Sequence, residues 1–475
     1  MSVASDVDVV VVGSGAAGLT AALAARESGC ERVLVAEAEH VVGGASRLSG
    51  GILMGAPTAL QAANGIEDSV DGLFHEYLAM NGWQVEPGPV RAFLEQAGPT
   101  IDWLVELGVP FEPWVFPAGQ ESVPHGHMVR GSGDGLIKAL HAACRERDIE
   151  IALGRRVDRL VATGGRVRGV AVGDDEITAD AVVLASGGFC ASPEMIARWW
   201  PDGLAGGDWA YYIAGEGAPG SRGDALGLGA SVGAQITGQN RGLRLLHTGF
   251  HRDFDAAPPG WLVLVDGTGR RFIDETSHYG VMDAVIKAHG ERAFAVFDDR
   301  LLRTPGIADS KWDRTGAYRP NYNVDLIDRK VAEGAVRSAP SIAGLADAME
   351  VDRAVLEGTV RRYNEAADAG HDDEYLKPAE YLHALETPPF YAVELRPASL
   401  AVSACGLRID GGARVIGEAG EPVEGLYAAG ECTGGIIGPF YAGSGNSLAN
   451  CVTYGRIAGL SAAGASKDHS KEQVP

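Results

Sequence analysis

The chain has 475 residues, 46% of them hydrophobic, and a formal net charge of −23 from 40 basic and 63 acidic side chains. That length predicts two or three domains, and the acidic balance disfavours nucleic acid or an anionic membrane as the main partner. Six cysteines (Cys30, Cys144, Cys190, Cys405, Cys432, Cys451) have no CxxC or CxxxC spacing, so they read as reduced thiols and not as disulfides or a metal site. No apolar run approaches the roughly 20 residues that span a bilayer, and the first strand begins too early to leave room for a signal peptide. A cytoplasmic protein without a membrane segment is the expectation.

The chain opens on DVDVVVVGSGAAGLTAALAARESGCERVLVAE, residues 6–37. The run Val7 to Val12 predicts a buried parallel strand, and the Ala/Leu pattern from Leu19 to Ala25 predicts a helix. A second strand, Val33 to Ala36, ends on Glu37. Between the first strand and the helix lies Gly13-Ser14-Gly15-Ala16-Ala17-Gly18. Gly13 allows a tight turn, Gly15 lets backbone approach a pyrophosphate, and Gly18 lets helix and strand pack closely. The helix N-terminus then holds the pyrophosphate, and Glu37 stands where a carboxylate accepts ribose hydroxyls. This order of strand, turn, helix, strand and acid predicts a dinucleotide site.

The stretch HVVGGASRLSGGILMG (40–55) offers backbone amides to a second phosphate or to a flavin edge. Residues 67–145 read as mostly helical, with an aromatic loop at 111–116 and a pocket-lining or surface loop at 123–136 that carries His125, His127 and Arg130. From Ile149 to Leu184 the period becomes two, which predicts a small meander closed by the strand Val182 to Ala185. A helical segment with Trp199-Trp200 follows, then a loop running into a helix at 217–234. A different texture lasts from 245 to 385 and reads as an inserted domain, in which Tyr363 is a packing residue. The opening texture returns at 386–465, with a hairpin at CGLRIDGGARVI, a strand Leu426 to Ala429 and an apolar helix from about Asn446. Residues 1–244 and 386–465 thus form one domain around the insertion, and 466–475 read as a disordered tail.

Taken together, VVVGSGAAGL, VGGASRLSGG, VVLASGGF, GRRFIDE, PPFYAVELRP, GLRID, GLYAAGE and SGNSLANCVTYGRIAG resemble the flavoprotein family of fumarate reductases, succinate dehydrogenases and 3-ketosteroid dehydrogenases. The resemblance implies an α/β fold: a Rossmann-type FAD-binding domain, with a parallel sheet and a β-meander, and an inserted α+β cap over the flavin. It implies FAD, held non-covalently, because no histidine lies near Ala45–Arg47, where the respiratory members attach the flavin. Gly13, Gly15 and Gly18 would take the pyrophosphate with Ala16 and Ala17, and Glu37 and Ala38 the adenosine ribose. Gly44, Ala45, Ser46, Ser49, Gly50 and Gly51 would follow the flavin. Val157, Ala185, Ser186, Gly187 and Asp224 complete that side. Gly430 and Glu431 would bind the ribityl or pyrophosphate part. Gly445, Asn446, Ser447 and Leu448 would meet the flavin, the last two at its pyrimidine edge.

Three departures narrow the chemistry. Dicarboxylate members carry an arginine where this chain has Ala442, and a histidine where it reads Ser403-Ala404-Cys405-Gly406. Their glutamate-then-arginine proton relay reads Glu275-Thr276-Ser277-His278-Tyr279. What stands instead, Phe440-Tyr441-Ala442-Gly443-Ser444-Gly445, is similar to the tyrosine-x-glycine-x-glycine loop of the 3-ketosteroid dehydrogenases. The resemblance then implies that Tyr441 and the Gly445 N–H grip a ketone oxygen and that Tyr279 removes the alpha proton, or that the two tyrosines exchange these roles. His278, adjacent on an expected strand, would point the other way. Trp114, Phe116, Tyr211, Tyr212, Phe440 and Ser444 are candidate pocket walls, and the partners implied are an apolar, steroid-like ketone and a quinone or dye-type electron acceptor. Two alternatives are a flavin-dependent reductase of an unsaturated acid, which would use arginine anchors such as Arg130, Arg300 or Arg303, and an electron-transfer subunit without its own substrate.

Overall fold

A computed structural model describes residues 6–119, 121–250, 258–304 and 322–472. It divides into two compact units, one of residues 1–203, 214–243 and 402–475, the other of 204–213 and 244–401. The second unit runs on to Ala401, past the expected boundary at 385, because Phe390–Ser403 is a long strand of that unit's sheet. It also takes in the short strand Tyr211–Tyr212, which pairs with Ser399 and Leu400.

In the first unit, five strands run parallel in the order Glu150–Ala152, Val33–Ala36, Val7–Val12, Asp175–Leu184 and Pro422–Ala428. Strands covered on both faces need apolar side chains at every position, and Val9, Val10, Val11, Val35, Val182, Val183 and Leu184 are wholly buried. The register aligns Ala36, Val12, Leu184 and Ala428 at one end of the sheet. Gly13, Glu37, Ala185 and Ala429 therefore leave the sheet side by side, tied by bonds of 2.8–2.9 Å such as Gly13 N–H to Ala36 O and Ala185 N–H to Val12 O. The meander is present as Arg159–Thr163, Arg166–Val172 and Asp175–Leu184, paired antiparallel. The expected hairpin at 405–416 is reduced to one bridge, Ile409 to Val415, because Gly406–Leu407 pairs instead with Ile236–Thr237.

The opening helix Ala16–Glu27 packs against the terminal helix Asn446–Glu472. The approach is close: a Cβ at Gly459 would lie 2.2 Å from the Ala21 carbonyl oxygen. That helix extends to Glu472, into the stretch expected as a tail, and buried Ser466 donates its hydroxyl to Asp180 Oδ2 at 2.9 Å. The aromatic loop expected at 111–116 is likewise a strand, Phe111–Phe116, because Gly126–Val129 offers it an antiparallel edge.

The second unit is built on a mixed sheet in which Phe390–Ser403 pairs with Ala293–Asp298, and that strand with Val263–Asp266. Its core stacks Phe297 on Tyr391 at 5.3 Å and sets Trp261 edge-on to Phe297 at 5.6 Å. The same unit holds a buried charge network. Arg271 holds Glu275 at 2.9 Å and Asp372 at 2.8 Å, while Lys377 Nζ reaches Glu275 at 3.1 Å and the Tyr363 hydroxyl at 2.9 Å. Two cations and two anions, each nearly inaccessible, compensate one another, as buried charges must.

Candidate functional site

The aligned strand ends open into a cleft lined by Gly13, Gly15, Ala16, Ala17, Glu37 and Ala38 at one side. Gly13 has φ +105°, and a Cβ there would lie 2.5 Å from the Ala185 carbonyl oxygen, so the turn admits only glycine. Gly18 does not line the cleft; it packs on Gly13, whose oxygen a Cβ would meet at 1.8 Å. Buried Glu37 is oriented by its own chain. Its Oε2 accepts the Ser14 N–H at 2.7 Å and the Ser14 hydroxyl at 2.6 Å, and its Oε1 accepts the Glu39 N–H at 2.8 Å. A carboxylate fixed this way keeps a lone pair for a hydroxyl in the cleft.

Of the other expected cofactor residues, Gly44, Ala45, Ser46, Val157, Ala185, Ser186, Gly187, Asp224 and Glu431 also line this cleft. Ser46 Oγ accepts the Ala16 N–H at 3.2 Å, and Asp224 pairs with Arg156 at 2.6 Å. Glu431 accepts both the Ser403 N–H and hydroxyl at 2.9 Å, and burial holds its carboxyl above the usual range. Sequence reading missed Arg47, Arg155, Arg156, Gly217–Ser221 and Cys451, all of which face the same space. Local spacing gave no sign of them; the pairing of Arg156 with Asp224, 68 positions apart, exists only in the folded chain. Burial pushes the Cys451 thiol up to about 12, so it stands in the cleft as a neutral small group.

Other expected cofactor residues do not line this cleft. Ser49, Gly50 and Gly51 lie outside the cleft, where Ser49 O accepts the Gly133 N–H at 2.9 Å. Gly430 packs on Ala17 and Cys451. Asn446 is wholly buried and donates to the Tyr77 hydroxyl at 3.0 Å. Ser447 N–H donates to the Tyr441 hydroxyl at 2.9 Å. Leu448 is buried beside them.

The Tyr441–Gly445 loop precedes the terminal helix directly. Tyr441 and Ser444 are buried, and Ser444 N–H donates to Ala118 O at 2.5 Å. Gly445 has φ +89°, with Ile52 backbone 2.7 Å from where a Cβ would be, and among the described residues its N–H has no acceptor. Phe440 is half-buried, and its N–H donates to Asn81 Oδ1 at 3.3 Å. Trp114 and Phe116 meet edge to face at 5.4 Å. His127 is buried against Thr58 Oγ1 at 2.8 Å, and burial lowers its pKa to about 4. His125 lies between Asp68 and Glu121.

In the second unit, Tyr279 is the first residue of the helix Tyr279–Ala288 and His278 is its N-cap, accepting the Gly280 N–H through Nδ1 at 3.1 Å. The expected strand is thus replaced by a helix start, and the two rings lie 3.9 Å apart instead of pointing away from each other. A capping histidine satisfies an amide that the first helical turn leaves unpaired. Tyr211 packs on His247 at 4.9 Å; Tyr212, its neighbour on the same short strand, pairs with Leu400. The arginines considered as acid anchors are engaged: Arg130 with Glu112 at 3.4 Å, Arg303 with Asp299 and Asp328 at 2.8 Å, and Arg300 with the Ala384 carbonyl at 2.8 Å.

The family model described as "FAD binding domain" matches residues 8–448. The chain is 30% identical to a fumarate reductase (cytochrome) of Shewanella frigidimarina, over 97% of this chain and 78% of that one. It is 28% identical to a urocanate reductase of Eggerthella lenta, over 97% and 75%. Among solved structures, the 3-ketosteroid-Δ4-(5α)-dehydrogenase of Rhodococcus jostii RHA1, in complex with 4-androstene-3,17-dione, is similar with a TM-score of 0.80 and 27% identity, over 96% of both chains. The mixed α/β fold is that of an FAD-binding Rossmann-type domain with a cap domain, and the cofactor is FAD. The cleft fits it: besides the glycine turn and Glu37, the buried Ser186 hydroxyl faces this space without a partner among the described residues. Among those residues, no helix is long and apolar enough to cross a membrane.

Proposed function

The chain belongs to the FAD-binding family that includes the fumarate reductases and is an FAD-dependent oxidoreductase acting on carbon–carbon bonds; from that premise we propose that it desaturates a neutral ring ketone beside its carbonyl, as a 3-ketosteroid dehydrogenase does. The observation that carries this reading is the Tyr441–Gly445 loop. Tyr441 accepts an N–H from the first turn of a 27-residue helix. A hydroxyl that accepts such a bond, at the positive end of a helix, becomes a stronger donor of its own proton. The Gly445 N–H is the second donor. A C–H bond alpha to a ketone loses its proton only as far as the enolate oxygen is stabilised, and two aimed donors supply about 3 kcal/mol each.

Tyr279 is the proposed base, and its helix start favours the negative charge a base must carry. Tyrosine's ordinary pKa near 10 makes it weak unless such a partner helps. Bound non-covalently in the cleft, FAD would accept the hydride released from the beta carbon, and a quinone or dye-type acceptor would return it to the oxidised form. Gly13, Gly15, Ala16 and Ala17 would hold its pyrophosphate and Glu37 its ribose, with Arg155 and Arg156 beside them. Ala442 leaves the loop without the cation that a carboxylate substrate needs. Glu275, where the resemblance puts the first member of a proton relay, is held by Arg271 and Lys377 inside the buried network.

A second reading, reduction of an unsaturated acid, is favoured by the names of the fumarate and urocanate reductases that the chain resembles. Anaerobic mixing with saturated 3-ketosteroids separates the two. Bleaching of the flavin by 5α-steroids and not by succinate is the expected result; bleaching by 4-ene steroids moves the new double bond to C1–C2. No bleaching by any ketone, with tight binding of fumarate-like acids, would replace the proposal by the second reading. Tyr441→Phe is expected to lower the rate of flavin reduction by about 100-fold while FAD stays bound.

A further inference from the structure

The segment that supports the substrate loop contains a buried charge arrangement that the reaction itself does not use. His125 sits with Nδ1 3.8 Å from Asp68 and Nε2 3.8 Å from Glu121, and all three side chains are at most 6% exposed. Among the described residues, neither His125 Nδ1 nor Glu121 Oε2 has a hydrogen-bond partner. Each ring nitrogen faces a carboxyl group, so the ring bridges the two. Its other titratable neighbours are Glu67 and Glu76, which share a cleft with Asp68 and His125, and the neutral His127 two positions on. Asp68 is further fixed by the Ser69 N–H at 2.7 Å and by Gln61 Nε2 at 3.1 Å, and Gln61 also donates to Pro124 O at 2.9 Å.

Glu121 is the link to the loop. Its Oε1 accepts the Ala118 N–H, and Ala118 O accepts the Ser444 N–H. A Cβ at Gly119 would lie 2.5 Å from the Ala442 carbonyl oxygen, so the two segments are in direct contact. We infer that His125 is a positioning residue of the ketone-binding loop: it holds Glu121, Glu121 holds Ala118, and Ala118 sets Ser444 and with it the Gly445 N–H. This rests on the ketone reading for its function, but not for its geometry.

The test uses the full chain loaded with FAD. Backbone hydrogen exchange over residues 443–446 reads the loop without any substrate, and steady-state kinetics with a ketone that bleaches the flavin read its use. His125→Gln leaves Glu121 buried and unpaired; it is expected to speed exchange of the Ser444 amide and to raise KM about tenfold, with a smaller change in kcat and full flavin content. The double variant Glu121→Gln/His125→Gln removes the stranded carboxyl group and is expected to restore both readouts toward wild type, which simple loss of packing would not do. Unchanged exchange in His125→Gln, or a loss that Glu121→Gln does not relieve, overturns the inference. If exchange responds as expected while no ketone bleaches the flavin, the positioning role stands and the ketone reading falls.

Discussion

Ser14, between the first two glycines of the turn, shows how much one side chain adds to a motif. It gives Glu37 two of the three hydrogen bonds that orient the carboxylate, and only the hydroxyl can be removed by mutation. Ser14→Ala is therefore expected to weaken FAD binding about three- to tenfold, measured by fluorescence of released flavin in equilibrium dialysis; unchanged affinity would mean that backbone alone holds Glu37. His127 makes a second prediction at this scale. Burial lowers its pKa to about 4, against about 6.5 in an unfolded chain. Between those values the unfolded chain takes a proton that the folded one refuses, so stability is full above about pH 6.5 and declines as pH falls toward 4. His127→Asn should flatten the dependence of Tm on pH across that window; the same slope as wild type would show that another group causes it.

The terminal helix Asn446–Glu472 has two roles as an element. Its first turn faces Tyr441, and its middle packs against the opening helix so closely that side chains are excluded. Gly459→Val would place a Cβ against the Ala21 carbonyl and is expected to destabilise the protein by about 1–3 kcal/mol in denaturant unfolding. Gly464 offers a control on the same helix: a Cβ there meets nothing within 4 Å, so Gly464→Ala should be neutral or add about 0.5–1 kcal/mol. Equal losses from both would contradict the close approach. The helix Tyr279–Ala288 illustrates the opposite case, since His278 was expected on a strand. A histidine able to cap by accepting the Gly280 N–H converts the segment to a helix start, and that brings His278 against Tyr279.

For the whole molecule, the two compact units carry different kinds of core. The first closes on aliphatic strands and small-residue helices, while the second encloses Arg271, Glu275, Asp372 and Lys377. Glu275→Gln would leave two buried cations facing one anion, and a loss of about 3–5 kcal/mol is expected, read as a lowered transition in calorimetry; no change would mean that the network is replaceable by neutral hydrogen bonds. The sequence by itself determined the parallel strands, the glycine turn with Glu37 and the meander, because each depends on local spacing of glycines and on periodic apolar runs; the FAD family came from the resemblance of its motifs. It also singled out the Tyr441–Gly445 loop as a string of residues. Only the tertiary structure decided that Ser447 N–H faces Tyr441, that Arg156 meets Asp224 in the cleft, and that His125 lies between Asp68 and Glu121. These are contacts between side chains or turns whose spacing along the chain carries no periodic signal, and burial and charge compensation choose such partners only once the chain has closed on itself.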